Sequence, residues 1–259
     1  MHSFTRVPGW ITSHWSGSDG VSARLVQHLE LSFVALAVAL LIAVPTGLWV
    51  GHRRRFEFLA VSTANIGRAI PSFAVLVLAF VFMVNVWPAI AFGPGPTVVA
   101  LTLLAIPPIL TNTYVGVQSV DADTVEAARG MGLREREVLT RLEVPLAAPL
   151  MMAGIRTATL QVIATATLAA VVAGGGLGRF ILDGYARQDY PQAIAGAVLV
   201  AALALAADLI LSLIERAVTP RTASGETTGR LVDLATFRRS ARPQRRGDPY
   251  VPPNLPREI

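Results

Sequence analysis

Residues 126–145 read EAARGMGLREREVLTRLEVP. Three residues separate the triplet Glu126-Ala127-Ala128 from Gly132, and nine more lead to Leu142. The surrounding segment, 119–145, is rich in charged residues and in residues that favour helix, so it does not fit inside the hydrocarbon of a bilayer. Long apolar stretches stand on both sides of it. The sequence therefore predicts a charged helical loop, with residues 121–145 as its structured part, between two membrane crossings.

The first half of this loop has the signals of one short helix. Asp123 or Thr124 can accept a hydrogen bond from a backbone N–H at its start. Ala127 and Ala128 give the helix a small face, which allows another protein surface to approach closely. Gly132 is expected to end the helix, because glycine readily adopts the left-handed conformation found after helices.

The second half of the loop predicts another short helix, from about Arg134 to Leu142, with Val138 and Leu142 on one side. Pro145 is expected to redirect the chain into the next apolar stretch. Two short helices joined at an angle form a compact knob outside the bilayer. Such a knob suits a cleft on a partner protein and can pass a rigid-body motion to the helices attached to it.

The rest of the chain is strongly apolar. Of its 259 residues, 53% are hydrophobic and 15% are charged, whereas a typical soluble domain has about 25% charged residues. A helix needs about 20 apolar residues to cross the hydrocarbon. The sequence therefore predicts an all-α membrane protein with five crossings, at residues 26–51, 56–86, 97–117, 146–173 and 193–214.

The second crossing admits two interpretations, because Arg68 and Pro71 interrupt it. It is either one long kinked helix, or a short interfacial helix followed by a span that begins near Pro71, where the missing N–H of proline is harmless. Residues 56–70 alone are too short and too polar to cross, so each interpretation gives one crossing. A sixth crossing would put the 119–145 loop or the N-terminus on the wrong face.

Basic residues predict the orientation. The run His52–Arg55 follows the first crossing directly, and the positive-inside rule places such a cluster in the cytoplasm. Residues 1–25 are then extracytoplasmic, and residues 26–219 form a membrane domain whose 119–145 loop faces the cytoplasm. The tail, 220–259, is rich in Arg and Pro. With few apolar residues, it is expected to be disordered and cytoplasmic.

The chain lacks the residues that several kinds of enzyme require. It has no cysteine, which excludes disulfides and thiolate metal sites. It has no Walker A motif, catalytic triad or metal-ligand cluster, and the glycine-rich run 174–178 lacks the Lys-Ser/Thr of a phosphate-binding loop. Its Arg residues lie mainly at the ends of apolar segments and in the tail, which favours orientation in a membrane over nucleic-acid binding. We expect a non-catalytic subunit without cofactor or metal, energised by another chain.

The spacing within residues 126–145 resembles the EAA loop of binding-protein-dependent ABC importer permeases. That pattern is EAA, three residues, Gly, nine residues, Ile, one residue, Leu-Pro, and this chain departs from it with Leu142 for Ile and Val144 for Leu. The resemblance implies a type I importer permease bundle whose coupling loop docks on an ATPase. It implies a coupling role for Glu126, Ala127, Ala128, Gly132, Val138, Leu142 and Pro145.

The resemblance covers about residues 25–220. The segments 65–71, 107–113, 153–159 and 174–178 look like those of permeases that import glycine betaine, choline, carnitine or proline betaine. It implies two ATPase subunits, a second permease copy or paralogue, an extracytoplasmic substrate-binding protein, and a place in the lipid bilayer of a bacterial cytoplasmic membrane. Two alternatives stay open: the same machine with methionine or another small amine as cargo, and a self-contained channel or secondary transporter.

Aromatic residues are too scattered to predict a cargo site. Quaternary ammonium groups are often held by aromatic cages, but only 7% of this chain is aromatic, and Trp87, Phe180 and Tyr185 are too scattered to form an obvious cage. Cargo selection is therefore expected mainly in the separate binding protein.

A second set of residues is predicted to line or gate the translocation pathway: Arg68, Pro71, Pro107, Asn112, Arg156, Gly174, Gly175, Gly176 and Asp208. Charged groups within apolar spans face the bundle or water rather than lipid. For Arg68, snorkelling of the side chain to the lipid headgroups and a role in gating the pathway are equally favoured. For Arg156, an interhelical hydrogen bond is favoured over contact with the substrate. For Asp208, a pair with an Arg or Thr of the bundle is favoured over binding of a cation. Pro107 is expected to bend its helix, and residues 174–178 to form a flexible outer hinge.

Overall fold

The computed structural model describes residues 2–54, 62, 70–172 and 174–218. Every regular element among them is helical, and the main helices are α1 (Val7–Ser13), α2 (Val21–Arg53), α3 (Ser72–Val86), α4 (Gly95–Gln118), α5 (Ala122–Gly130), α6 (Val144–Thr165), α7 (Gly178–Ala186) and α8 (Tyr190–Val218). Shorter elements are helical turns at His2–Thr5, Pro88–Ala91 and Glu135–Glu137, a π-helical turn at Val138–Glu143 and a 3-10 segment at Ala166–Val172. Arg68 and the predicted disordered tail, 220–259, lie outside the described residues.

Four helices in the described part of the chain are long and apolar enough to cross a membrane. They are α2, α4, α8 and the helical stretch Glu135–Val172 that contains α6. Helix α3 represents the second predicted crossing; it has 15 residues and begins directly after Pro71, the start that one of the two interpretations of this crossing gave. This all-α architecture confirms the predicted fold class.

Helix α2 packs along α4 through a stripe of small residues at every fourth position. The buried stripe consists of Ala35, Ala39, Ala43, Gly47 and Gly51. A Cβ atom on Gly47 would lie 2.8 Å from Cβ of Thr113, and one on Gly51 would lie 2.8 Å from Cβ of Val117. Small residues let helix backbones approach closely in a membrane, where van der Waals packing holds helices together. The stripe therefore sets the close contact between α2 and α4.

Helix α4 packs against both α2 and α6. A Cβ atom on Gly154 of α6 would lie 2.6 Å from Cβ of Asn112, so this glycine permits the close contact of α6 with α4. Pro107 and Pro108 are buried inside α4, and the helix continues through them. The side chains of Thr111 and Asn112 donate hydrogen bonds of 2.8 Å to the carbonyls of Pro107 and Pro108. The side chains of Thr111 and Asn112 therefore find partners within α4.

Helix α8 leaves most of its apolar surface exposed in the single chain. None of the residues in its most apolar 18-residue window is buried, and Leu205, Leu209 and Leu213 are among the exposed side chains. Water would solvate such a surface poorly, whereas lipid tails or apolar side chains of another subunit can cover it. The exposure is what a membrane-facing helix requires.

The N-terminal segment is partly helical and packs against α7. Trp10 of α1 meets Phe180 of α7 edge to face, with ring centroids 5.2 Å apart. Val21 and Leu177 are fully buried in the same cluster. The sequence predicted only an extracytoplasmic segment here, because the partners of Trp10 are far away along the chain.

Candidate functional site

The predicted coupling loop begins with a capped helix, α5. The carboxylate of Asp121 accepts hydrogen bonds from the backbone N–H of Thr124 at 2.9 Å and from its hydroxyl at 3.0 Å. These hydrogen bonds stabilise the charged form and lower the pKa of Asp121. The expectation that Asp123 or Thr124 caps the helix was wrong, because the helix already begins at Ala122.

Gly132 ends helix α5 in the predicted way. Its φ is +90°, a conformation that glycine adopts without a steric penalty. Its N–H donates to the carbonyl of Arg129 at 2.9 Å, and the N–H of Leu133 donates to the carbonyl of Ala128 at 3.2 Å. This pair of hydrogen bonds is a Schellman motif, which satisfies carbonyls at the helix end. No atom lies within 4 Å of a Cβ placed on Gly132, so conformation rather than packing requires glycine here.

A small apolar core holds the two halves of the loop together. It contains Val120, Val125, Ala128 and Val138, with Leu133 and Leu142 packed against it. Val138 is fully buried, and Leu142 lies on the same side, as the helical spacing predicted. Ala128 is buried too, so the expectation that it forms a small face toward a partner was wrong for this residue. Glu126 and Ala127 are exposed.

The tip of the loop presents an apolar side chain to solvent. Met131 is 76% exposed and directly precedes the left-handed turn at Gly132. Methionine is flexible and polarisable, and it adapts to the surface of a protein partner. Sequence reasoning missed Met131, although its place one residue before the helix-ending glycine was a usable signal. We call the three exposed residues Glu126, Ala127 and Met131 the docking tip.

The loop enters the fourth crossing without a turn. Glu135–Val172 is one continuous helical stretch, in which Val138–Glu143 forms a π-helical turn. Pro145 lies in the first turn of α6, where proline is compatible with a helix. The expectation that Pro145 redirects the chain was wrong. The second half of the loop is therefore attached to the fourth crossing as a single rod.

Charged side chains tie the loop to the end of α2. His52 Nδ1 lies 2.6 Å from Glu143 Oε2, and His52 Nε2 lies 3.1 Å from Glu135 Oε2. Glu135 in turn accepts two hydrogen bonds from Arg129 of α5, at 2.8 and 3.0 Å. The side chain of Glu143 is only 4% exposed, and buried carboxylates require such partners. Sequence reasoning missed the His52–Glu143 contact, since 91 residues separate the two.

The charged residues predicted inside the spans form a pair. Arg156 of α6 donates to both oxygens of Asp208 of α8, at 2.5 and 2.9 Å. Glu215 lies 3.5 Å from the same guanidinium. This confirms the favoured interpretations of Arg156 as an interhelical hydrogen-bond donor and of Asp208 as the partner of an arginine. The pair links the fourth crossing to the fifth.

The glycines of residues 174–178 are packed rather than free. The N–H of Gly174 donates to the carbonyl of Ala169 at 2.8 Å, and that of Gly176 donates to Gln27 Oε1 at 3.2 Å. A Cβ on Gly178 would clash with the carbonyl of Thr167. Close packing therefore explains these glycines, whereas the sequence had suggested a flexible hinge.

A cavity of about 540 Å³ lies beside this glycine segment. Its lining includes Arg24, Gln27 and Glu30 of α2 as well as Gly174 and Gly175. Arg24 is held by Asp19 and Gln27. The cavity thus brings two of the predicted pathway glycines together with polar side chains of α2.

The other predicted pathway residues lie elsewhere. Pro71 precedes α3 and is exposed, whereas Pro107 is buried and Asn112 half-buried within α4. Arg156 and Asp208 lie between α6 and α8. The described pathway candidates therefore fall into separate groups along the bundle.

Comparison with known proteins identifies the family. Residues 43–223 match the model of the "binding-protein-dependent transport system inner membrane component". The chain belongs to this family. As an inner membrane component, it is a transport subunit of a membrane protein complex, and the predicted class of protein is confirmed.

Two curated relatives show how far the similarity extends. The glycine betaine/carnitine/choline transport system permease protein OpuCB of Bacillus subtilis (strain 168) is 37% identical over 199 residues, which cover 77% of this chain and 88% of the relative. The osmoprotectant import permease protein OsmY of Salmonella typhimurium is 36% identical over 198 residues, covering 76% of this chain and 81% of that protein. The similarity thus includes most of the inner membrane component and its loop.

A solved structure supports the same fold. The inward-facing MetNI methionine ABC transporter contains a chain that matches this inner membrane component with a TM-score of 0.67, 23% identity, and coverage of 77% of this chain and 96% of that one. At this identity the similarity concerns the fold. The bundle is that of a type I ABC importer permease, as the resemblance of residues 126–145 implied.

Proposed function

We propose that this inner membrane component is the permease subunit of an ABC importer for a small quaternary-amine osmoprotectant. The names of its relatives in Bacillus subtilis and Salmonella typhimurium support this cargo class. Glycine betaine, choline, carnitine and proline betaine are the candidates within it. Methionine or another small amine is the alternative cargo, and the similarity to the methionine transporter is one of fold.

The observation that carries the proposal is the rigid, exposed docking tip. Glu126 and Ala127 are exposed on α5, and Met131 is exposed directly after its last residue. The core around Val138 fixes that helix to the rod of the fourth crossing. A protein bound at the tip can therefore move the crossing with little loss of motion within the loop. We assign ATP hydrolysis to a separate ATPase subunit that binds here, with Gly132 shaping the tip and Val138 and Leu142 supporting it. Pro145 lies within the rod, in the first turn of α6.

The assembly we propose follows from the single docking tip on each permease. Two permeases, either two copies or a pair of paralogues, would present two tips to two ATPase subunits. The exposed apolar surface of α8 would be covered by lipid or by the second permease. ATP binding would close the ATPases and rock the bundles toward an outward-facing state. An extracytoplasmic binding protein would then release the cargo, and hydrolysis would reset the cycle.

The orientation we propose has the N-terminus outside and the loop in the cytoplasm. The His52–Glu143 contact puts the basic end of α2 and the loop on the same side, and the positive-inside rule favours the cytoplasm for that side. The chain has no cysteine, so single cysteines at Ser18 and Met131 would report the two faces. A membrane-impermeant maleimide should label position 18, but not position 131, in intact cells.

The cargo pathway we propose has its outer end at the cavity beside Gly174 and Gly175. Arg24 and Glu30 give its lining both signs of charge, which suits a zwitterionic or cationic cargo. No aromatic residue is found among the described residues of the lining, so cation–π selection of quaternary amines is assigned to the binding protein. Arg156 and Asp208 are assigned to the bundle interior or a water-filled path, because an ion pair facing lipid is costly.

Uptake in proteoliposomes tests the proposal. The permease would be reconstituted with its ATPase, ATP enclosed, and the binding protein outside, and uptake of radiolabelled glycine betaine would be measured. We expect uptake to require both ATP and the binding protein, and unlabelled choline or carnitine to compete. Competition by methionine alone would favour the alternative cargo. Uptake that persists without ATP or the ATPase would contradict the importer and favour a secondary transporter.

A further inference from the structure

The cytoplasmic end of α2 is fixed to the coupling loop. His52 lies between the carboxylates of Glu143 and Glu135, and a guanidinium N–H of Arg54 donates to the carbonyl of Val120 at 3.3 Å. Glu143 is buried, and removal of its partner would leave an uncompensated buried charge. This contact therefore resists separation when the loop moves.

The outer end of α2 is fixed to the glycine segment. Gln27 Oε1 accepts a hydrogen bond from the N–H of Gly176, and His28 Nδ1 accepts one from the N–H of Leu177 at 3.4 Å. His28 Nε2 donates to the carbonyl of Ile163 at 3.0 Å. Neutral His28 makes both of these hydrogen bonds when its proton is on Nε2. The start of α2 thus holds the segment that lines the outer cavity.

We infer that α2 transmits the motion of the coupling loop to residues 174–177, with His52 as the positioning residue at its cytoplasmic end. This inference rests on the proposed function of the loop. Helix α2 has 33 residues, which corresponds to a length of about 50 Å, enough to connect the two faces of a membrane. Since α2 is attached at both ends, a displacement of the loop reaches the glycine segment through one element.

The contact between α2 and α4 suits such a motion. The small residues Ala35, Ala39 and Ala43 face α4 and present few protruding side chains to it. Packed helices can slide past one another by small shear motions. The stripe therefore permits only a small shift of α2 along α4, because Gly47 lies directly against Thr113 and the hydroxyl of Thr102 donates to the carbonyl of Ala35 at 3.3 Å.

A reporter cysteine near the glycine segment tests the inference. Val171 is 45% exposed and lies three residues before Gly174. The Val171→Cys permease would be reconstituted with its ATPase and binding protein. The rate at which an impermeant maleimide labels the cysteine at position 171 would then be measured without nucleotide and with ATP plus vanadate. We expect ATP to change this rate, and His52→Leu to reduce the change about fivefold or more, with little effect on ATPase activity.

Three further variants distinguish transmission from a loss of folding. His52→Asn places an amide N–H near the position of Nδ1 and should restore the response. Arg53→Gln, on an exposed neighbour, should leave it unchanged. Gln27→Leu removes one of the two hydrogen bonds of the outer attachment and leaves the contact of His28 with Leu177, so it should reduce the response even if His52→Leu fails to assemble.

Two results would overturn the inference. One is an ATP response of wild-type size in both His52→Leu and Gln27→Leu. The other is a complex with normal ATP-driven uptake whose labelling at position 171 does not respond to ATP. Failure of the proposed function would look different, because the unsubstituted complex would then show no ATP-dependent uptake at all, and this too would remove the inference.

Discussion

Arg156 donates two hydrogen bonds to the carboxylate of Asp208, and this pair joins α6 to α8. Glu215 of α8 lies 3.5 Å from the same guanidinium, so Arg156 is the centre of the charged contact between the fourth and fifth crossings. We expect Arg156→Leu to lower the Tm of the detergent-solubilised protein, because it leaves the carboxylate without its main cation in an apolar environment. Asp208→Leu should do the same.

The double variant Arg156→Leu/Asp208→Leu provides the control. It removes both charges, so it should be more stable than either single variant, and the pair would show strong coupling in a double-mutant cycle. Additive losses of Tm would mean that the two side chains are solvated independently, contrary to the contact described. Differential scanning fluorimetry would measure all four proteins.

Gly132 and Gly130 form a matched pair for testing the shape of the docking tip. A Cβ on either residue meets no atom within 4 Å, but only Gly132 has a positive φ, +90°. Gly132→Ala should cost about 1–2 kcal/mol locally and reduce ATP-driven uptake with the protein still inserted. Gly130→Ala should be neutral or slightly stabilising, since alanine is favoured in a helix. Equal uptake in both variants would argue against a role for the turn.

The fold was predictable because the membrane imposes strong local rules. Each long crossing appears in the sequence as an apolar run of sufficient length, and most of the charge lies at the ends of these runs, as at His52–Arg55, with Arg156 and Asp208 as exceptions inside them. The turn at Gly132 was predictable for a similar reason, because only a few residue types end helices in this way. These features depend on neighbours in sequence.

The remaining features depend on contacts that no local pattern encodes. The partners His52 and Glu143 are 91 residues apart, and Gln27 meets Gly176 across 149 residues. The cap at Asp121 was missed for another reason, since the segment 121–124 contains two aspartates and a threonine that can each cap a helix. Which one does so depends on where the preceding crossing ends.

The stripe on α2 predicts a steric effect at Gly47. A Cβ there would lie 2.8 Å from Cβ of Thr113, so Gly47→Ala should force α2 and α4 apart and cost about 1–3 kcal/mol. Gly93→Ala is the control, because the nearest atom to its Cβ would be 3.7 Å away. Thermal unfolding in detergent should show a lower Tm for the first variant alone. A tolerated alanine at position 47 would show that the two helices are not in tight contact.

Met131 is expected to contribute to ATPase binding. Its side chain is 76% exposed at the end of α5, so Met131→Gln should leave folding unchanged while removing an apolar contact from the interface. Loss of an interface anchor of this kind costs about 1 kcal/mol or more of binding free energy. This loss corresponds to a rise in the Kd of about fivefold or more. Microscale thermophoresis with the purified ATPase would measure it. Arg141→Gln, on the exposed surface of the second half of the loop, should change the Kd much less.

The cap at Asp121 predicts how the start of α5 responds to pH. Hydrogen bonds from Thr124 lower the pKa of Asp121 in the folded loop, so the folded state binds its proton less readily than the unfolded segment does. The stabilisation by the charged cap is therefore complete above the ordinary pKa of aspartate, about 4, and it is lost as the pH falls through the lower folded value. Hydrogen exchange of residues 121–130, corrected for intrinsic rates, should show constant protection near neutral pH and a loss only in strong acid.

Asp121→Asn separates the cap from its charge. Asparagine is as good an N-cap as aspartate but does not titrate in this range. The variant should therefore keep α5 protected from hydrogen exchange, and the part of the acid-induced loss of protection that is due to Asp121 should disappear. Asp121→Ala should reduce protection of α5 at every pH, because no side-chain acceptor remains for the N–H of Thr124. An acid response in Asp121→Asn equal to that of the unsubstituted protein would assign the titration to another carboxylate of the loop.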